Sequence, residues 1–302
     1  MYDFEKIYHA ASVEEAVCML QKDENSMIIS GGTDVLIKLR EGRLTGCSLV
    51  SIHDIEELKS IYMEEDGTIV IGPAVSFSQV TNHPIIRQYL PFLGEAADTV
   101  GGPQIRNMGT IGGNICNGAT SADTASTLKA LNAQLILVGS GGERRLPIHD
   151  FYTGPGKTVR GRDEVMTQIR IARKDYENMY GQYIKYGKRN AMEIVTLGCA
   201  VLVRTDETKT RVEDIRIAYG VAAPTPIRCF RTEETLKGRQ IDETLFAILR
   251  RDVLEEVSPR SSWRASKTFR IQLIKELGER ALRQALAKAG VTDIREGGAK
   301  DA

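Results

Sequence analysis

Two stretches of bare backbone hold the residues best suited to chemistry. "MIISGGTD" (27–34) sets Gly31 and Gly32 directly after an apolar run. "TIGGNICNGATSAD" (110–123) repeats the pair at Gly112 and Gly113, among Asn114, Asn117, Ser121 and Asp123. Adjacent glycines let a chain turn sharply and leave successive N–H groups unshielded. A nest of that kind binds anions, phosphate oxygens above all. Thr33, Thr110 and Ser121 add hydroxyl donors, and Asn114 and Asn117 add amide donors. Asp123 can accept from a ribose hydroxyl or a ring N–H. Two nests converging on one diphosphate suit a dinucleotide, whereas the plain alternative makes each glycine pair a tight turn. Neither loop matches GxGxxG or GxxxxGK(S/T), which disfavours a Rossmann site or a P-loop.

These loops need elements to hold them. Residues 11–23 read as a helix, with Ser12 as cap, Glu15 three places on, and Val13, Ala16, Val17 and Leu20 on one face. "MIIS" (27–30) reads as a short buried strand, and "VLIKL" (35–39) is a second apolar segment beyond the glycine turn. "SLVSI" (48–52) and "TIVIG" (68–72) are strand-like. Residues 83–100 are helical in two pieces around Pro91. Residues 126–151 give a helix, a strand, a Gly-rich turn and another strand. The polar stretch 172–182 marks a break. Strands follow at "YIKYGKR", "IVTLGCAVLVR" and 212–228, then two helices in 231–256. A long helix spans 265–289, with Leu273, Leu277, Ala281 and Leu282 near one face. The strict βαβ rhythm of a doubly wound sheet is absent, so the fold class is α+β. The division is 1–176 (parts of about 1–56 and 57–176), 177–290, and a frayed tail at 291–302.

Composition narrows the function. The chain has 302 residues, with 40 Lys and Arg balancing 40 Asp and Glu. That neutrality argues against nucleic acid as a partner. Cys18, Cys47, Cys116, Cys199 and Cys229 are scattered, with no CxxC pair, so an iron–sulfur centre or zinc finger held by this chain is disfavoured. Neither a secretory signal nor a membrane span is expected, and the reading is a cytoplasmic protein. The four histidines are isolated. No activated base or nucleophile cluster stands out, so no catalytic residue or metal ligand is assigned. "HDFYTGPGKT" (149–158) suits a lid or a surface turn. "KYGKR" (185–189) suits a strand edge or a cation near an anion. "SPRSSWRASK" (258–267) suits a docking patch or a helix cap.

"GGTD" after an apolar strand, followed by "GPQIRNMGTIGGNICNGATSAD", closely resembles the FAD-binding subunits of bacterial xanthine dehydrogenases, of the molybdenum hydroxylase family. The likeness runs from "YDFEKIYHA" to "SPRSSWRASKTFR". It implies a two-part FAD domain of the vanillyl-alcohol-oxidase type, followed by an α+β C-terminal domain of the CO dehydrogenase flavoprotein type. It also implies a large partner chain carrying molybdopterin and a small one carrying [2Fe–2S] clusters. Electrons would reach FAD in this chain and leave to NAD⁺. The alternatives are a stand-alone FAD-dependent oxidoreductase, the flavin subunit of a related hydroxylase acting on another heterocycle or aldehyde, and a glycine-rich structural subunit without a cofactor.

Residue by residue, the resemblance assigns Met27, Ile28, Ile29, Ser30, Gly31, Gly32, Thr33 and Asp34 to one pyrophosphate loop. Gly109, Thr110, Ile111, Gly112, Gly113 and Asn114 form the other. Ser121 and Asp123 would hold the ribityl–phosphate part. Val165 and Met166 would support the isoalloxazine edge. Ile184 and Lys185 would sit beside the ring, where an ammonium stabilises negative charge. Many members place an aromatic near the ring; here Phe151 and Tyr152 are the candidates. A β-branched residue at Gly112 or Gly113 is expected to enter the diphosphate site while the fold survives.

Overall fold

A computed structural model describes residues 2–292. The 291–302 tail lies outside the described residues except for Val291 and Thr292. The first unit holds β1 (Phe4–His9), α1 (Val13–Lys22), β2 (Ser26–Ile29), α2 (Val35–Arg40) and β3 (Cys47–Ser51). Its three strands run parallel in the order β1-β3-β2. The Ser12 hydroxyl accepts from the Glu15 amide, and the Glu15 carboxylate reaches back to the Ala11 amide at 2.7 Å, one residue before the usual box position. Val13, Ala16, Val17 and Leu20 are all buried. The apolar segment 35–39 is helix α2, and Leu39 is the residue it buries. The first glycine loop therefore joins a strand to a helix at the carboxyl end of a parallel strand, where α/β layers characteristically take ligands.

The second unit begins with β4 (Ile61–Met63) and β5 (Ile69–Ile71). Six short helices follow: α3 (Phe77–Asn82), α4 (Pro84–Tyr89), α5 (Pro91–Asp98), α6 (Pro103–Met108), α7 (Ile111–Cys116) and α8 (Asp123–Ala130). Pro84, Pro91 and Pro103 each open a helix, where a missing N–H costs nothing. Next come β6 (Gln134–Gly139), β7 (Gly142–Pro147), β8 (Tyr152–Gly154), β9 (Lys157–Thr158) and β10 (Val165–Ile171). An antiparallel sheet of order β4-β5-β10-β6-β7 backs this unit, and β8 and β9 form a separate ribbon.

The third unit has β11 (Tyr180–Tyr186), β12 (Leu197–Thr205), β13 (Val212–Gly220) and β14 (Ile227–Arg228), antiparallel in that order. It closes with α9 (Phe230–Leu236), α10 (Glu243–Asp252) and α11 (Lys267–Lys288). Strand β12 reads as a continuous apolar run because both of its faces are covered. Leu197, Cys199, Val201 and Val203 join the core under α10 and α11, while Ala200 and Leu202 join the core of the second unit. Leu273, Leu277, Ala281 and Leu282 of α11 are buried there as the sequence pattern anticipates. At the junction Arg216 pairs with Asp175 at 3.1 Å and donates to the Ala130 carbonyl, and Arg228 pairs with Glu233 at 2.8 Å.

Candidate functional site

The two glycine loops meet. A Cβ on Gly31 would overlap the Met108 carbonyl oxygen and lie 3.0 Å from the Gly109 Cα. Beside this contact opens a cavity of about 600 Å³, within the range of small-molecule sites. Residues from Ser30 to Lys38, except the exposed Leu36, form one wall, and Thr110, Gly112, Gly113, Asn114, Asn117, Ser121 and Asp123 form the opposite one. Met192, Glu193 and Ile194 of the third unit complete it.

The loops supply different things. The amides of Gly31, Gly32, Thr33 and Asp34 find no acceptor among the described residues. The Ser30 hydroxyl is also buried and unpartnered. Gly32, at φ +72°, gives this loop the left-handed turn that glycine tolerates. The second loop is not a nest of free amides. Gly112 donates to the Pro73 carbonyl at 2.9 Å, Gly113 to the Thr110 hydroxyl at 3.2 Å, and Asn114 to the Thr110 carbonyl at 3.0 Å. Thr110 caps α7, and the double glycine is its first turn. Gly112 is required by packing, since its Cβ would lie 2.7 Å from the Pro73 Cα. The expectation that a side chain there enters the diphosphate site is corrected: it enters the backbone at Pro73. Gly113 is open except for Thr110 Oγ1 at 2.8 Å.

The other assigned residues divide. Asp123 is buried in the cavity wall at the head of α8. It accepts from Tyr183 at 2.8 Å and from Lys185 at 2.9 Å, and the Lys185 ammonium also donates to the Thr99 carbonyl at 2.9 Å. Burial raises the Asp123 carboxyl above its ordinary value, and the Lys185 charge pulls it back. Lys185 thus reaches the cavity through Asp123. Met166 lines the cavity, whereas Val165 is packed in the core behind it and Ile184 faces the core of the third unit. Met27 and Ile28 line it from β2; Ile29 packs behind them. Gly109 and Ile111 are buried at the loop base, with Gly109 accepting from the Phe77 amide.

Phe151 and Tyr152 lie in the core and are not part of the cavity wall. The aromatic in that wall is Phe77, at the start of α3. Sequence reasoning missed it because α3 was not assigned; the signal was Ser76 with Gln79 three residues on, which form a full capping box. It also missed Lys38, Arg160 and the Met192–Ile194 segment, all in the wall.

The free amides can donate to an anion with several oxygens, and Met166, Phe77 and Val100 in the same lining offer apolar surface to a flat ring. A flavin dinucleotide has both, so the residues fit the group that the resemblance implies.

Residues 2–173 match the FAD binding domain in molybdopterin dehydrogenase, and residues 182–285 match the CO dehydrogenase flavoprotein C-terminal domain. The chain is 40% identical over 290 residues to the xanthine dehydrogenase FAD-binding subunit of Escherichia coli O157:H7, covering 96% of this chain and 99% of that one. It is 31% identical over 283 residues to the carbon monoxide dehydrogenase medium chain of Hydrogenophaga pseudoflava, covering 93% and 97%. A solved structure of carbon monoxide dehydrogenase from that organism, lacking the Mo-pyranopterin moiety, superposes with a TM-score of 0.90 at 28% identity, covering 95% of this chain and 99% of that chain. With both parts of its fold matched, over residues 2–173 and 182–285, and 40% identity across nearly the whole of both chains, the chain belongs to the FAD-binding medium subunits of the molybdenum hydroxylases.

Proposed function

We propose that this chain is the electron-transfer subunit of a xanthine dehydrogenase-type enzyme. It takes electrons from [2Fe–2S] clusters on a small partner, themselves fed by a large molybdopterin-binding partner, and passes them to NAD⁺ in the cytoplasm. The observation that carries this is the row of unsatisfied amides from Gly31 to Asp34 over the buried Ser30 hydroxyl. The 40% identity across nearly all of both chains favours the xanthine dehydrogenase type over other hydroxylases.

Bound in this cavity, FAD supplies redox chemistry that the side chains cannot. The amides of 31–34 and the Ser30 hydroxyl hold its phosphates. Asn114, Ser121 and Asp123 fix the ribityl part. Met166, Phe77 and Val100 exclude water from the ring. Lys185 favours the charged form of Asp123 against its burial and orients it, and so acts on the ring's edge through one intervening group. The same reading divides the chain at 176/177, with parts of 1–56 and 57–176 in the first domain and 177–290 in the second. The change of sheet between β10 and β11 supports that division.

Co-expression with the neighbouring reading frames tests the assignment. Purification through this chain is expected to bring down two partners with molybdenum, iron and flavin, and the complex is expected to reduce NAD⁺ with a purine. A colourless chain that refuses FAD sinks the proposal. Purine oxidation by this chain alone would instead favour a stand-alone flavin enzyme.

A further inference from the structure

Two cations line the cavity with no carboxylate within ion-pair distance among the described residues, though the Arg160 charge also acts on Glu164. Lys38, one turn beyond Asp34 on α2, donates to the Asn117 side-chain oxygen at 2.6 Å, spanning from the first unit to the end of α7. Arg160, in the loop between β9 and β10, holds one guanidinium nitrogen against the carbonyls of Gly161 at 2.9 Å and Glu164 at 2.7 Å. Both line the cavity. Neither forms an ion pair among the described residues. Of the three carboxylates in the same wall, Asp123 is neutralised by Lys185 at 2.9 Å and Glu193 lies 3.9 Å from Arg189. Asp34 remains, exposed at the head of α2.

The two cations share a neighbourhood. The Arg160 charge acts on Cys116, the last residue of α7, opposing the burial that pushes that thiol up to about 11. Asn117, the next residue, receives Lys38. Lys38 thus reaches from the wall that carries the free amides of 31–34 to the end of α7, where the Arg160 charge also acts. An anion entering the cavity would meet both positive charges, and charge-assisted hydrogen bonds are the strong ones. Donors held by carbonyls and by Asn117 are already oriented, so little ordering cost remains when the anion arrives.

We propose that Lys38 and Arg160 neutralise the linked phosphates of the bound dinucleotide, with Lys38 held ready by Asn117. The proposal rests on the flavin reading above. It divides recognition in two: charge reads the diphosphate, and apolar contacts read the ring.

The full chain, stripped of flavin, is titrated with FAD, with ADP and with riboflavin, which carries the ring without phosphate. Lys38→Met and Arg160→Gln are each expected to weaken FAD and ADP by about tenfold, as loss of a charge-assisted hydrogen bond does, and to leave riboflavin unchanged. Lys38→Arg is expected to restore most of the FAD affinity. In the unmutated chain, added salt is expected to weaken FAD but not riboflavin. Equal losses for FAD and riboflavin would reduce Lys38 to a strut between units and overturn the proposal. FAD affinity untouched in both variants would overturn it as well, while leaving the flavin assignment standing. A chain that binds neither FAD nor ADP overturns the flavin assignment and this proposal together. The salt series needs no variant, so it decides the matter even where a substitution fails to fold.

Discussion

Gly31 and Met108 belong to different units yet touch backbone to backbone, with no room for a single methyl between them. That contact fixes the spacing of the cavity walls. Gly31→Ala is expected to destabilise the chain by about 1–3 kcal/mol through overpacking and to abolish FAD retention. Gly141→Ala, where a Cβ meets nothing within 4 Å, is the control and is expected to melt near the unmutated chain. Thermal melting of both, with and without FAD, checks the pair.

Gly112 and Gly113 are neighbours with opposite expected outcomes. Gly112→Val drives its side chain into Pro73 and is expected to lower the melting temperature sharply in the absence of any ligand. Gly113→Ala keeps the fold, helped by the better helix propensity of alanine, about 1 kcal/mol. Its Cβ would lie 2.8 Å from the Thr110 hydroxyl that caps α7, so that side chain must give way, and FAD affinity is expected to fall with only a small drop in melting of the flavin-free chain. Flavin titration alongside melting separates the two.

Lys185→Met leaves Asp123 buried without its cation. Removing one partner of a buried pair costs about 3–5 kcal/mol. Burial already raises the Asp123 carboxyl, so protonation favours the folded variant. The loss measured by denaturant unfolding is therefore expected to shrink as pH falls toward the acid range. A second change, Asp123→Asn, is expected to recover much of the stability at neutral pH.

How much of this was legible in the sequence follows from the range of each interaction. Helix α1 was legible because Ser12, Glu15 and the four buried residues are all local signals. The meeting of the two glycine loops was expected, from the reading of both as nests converging on one diphosphate. Their different roles were not legible. Nothing near Gly112 in sequence reveals that Pro73 will approach its Cα position and take its amide. Likewise Phe151 and Tyr152 were reasonable aromatics for a flavin wall, but the β6–β7 hairpin and the turn after it carry them into the core. Short helices such as α3 and α6 are six residues each, too short for a periodic pattern to declare itself.

His149 gives the stability a pH dependence. Its ring lies against Phe230, its Nε2 is 3.2 Å from Asn132 Oδ1, and its buried Nδ1 has no partner among the described residues. Burial first, then the charges of Lys129, Arg228 and Arg216, lower it to about 3. The folded state therefore binds fewer protons than the unfolded one between about 3 and the ordinary value of 6.5. Stability is present above that window and is lost as pH falls through it, by at most about 1.4 kcal/mol per pH unit from this group. His149→Gln is expected to flatten that part of the profile. The difference between the two unfolding curves from pH 7 to pH 4 (about) measures it. Identical slopes would assign the acid sensitivity to other groups.

Walls from all three units enclose one cavity. Whatever fills it is mortar as well as cargo, because a ligand that binds the folded chain alone adds its binding free energy to the stability of every unit it touches. Flavin supply then governs how much of the protein survives, not merely how much of it is active. In a cell starved of riboflavin, this subunit is expected to be more open to proteolysis than when flavin is plentiful.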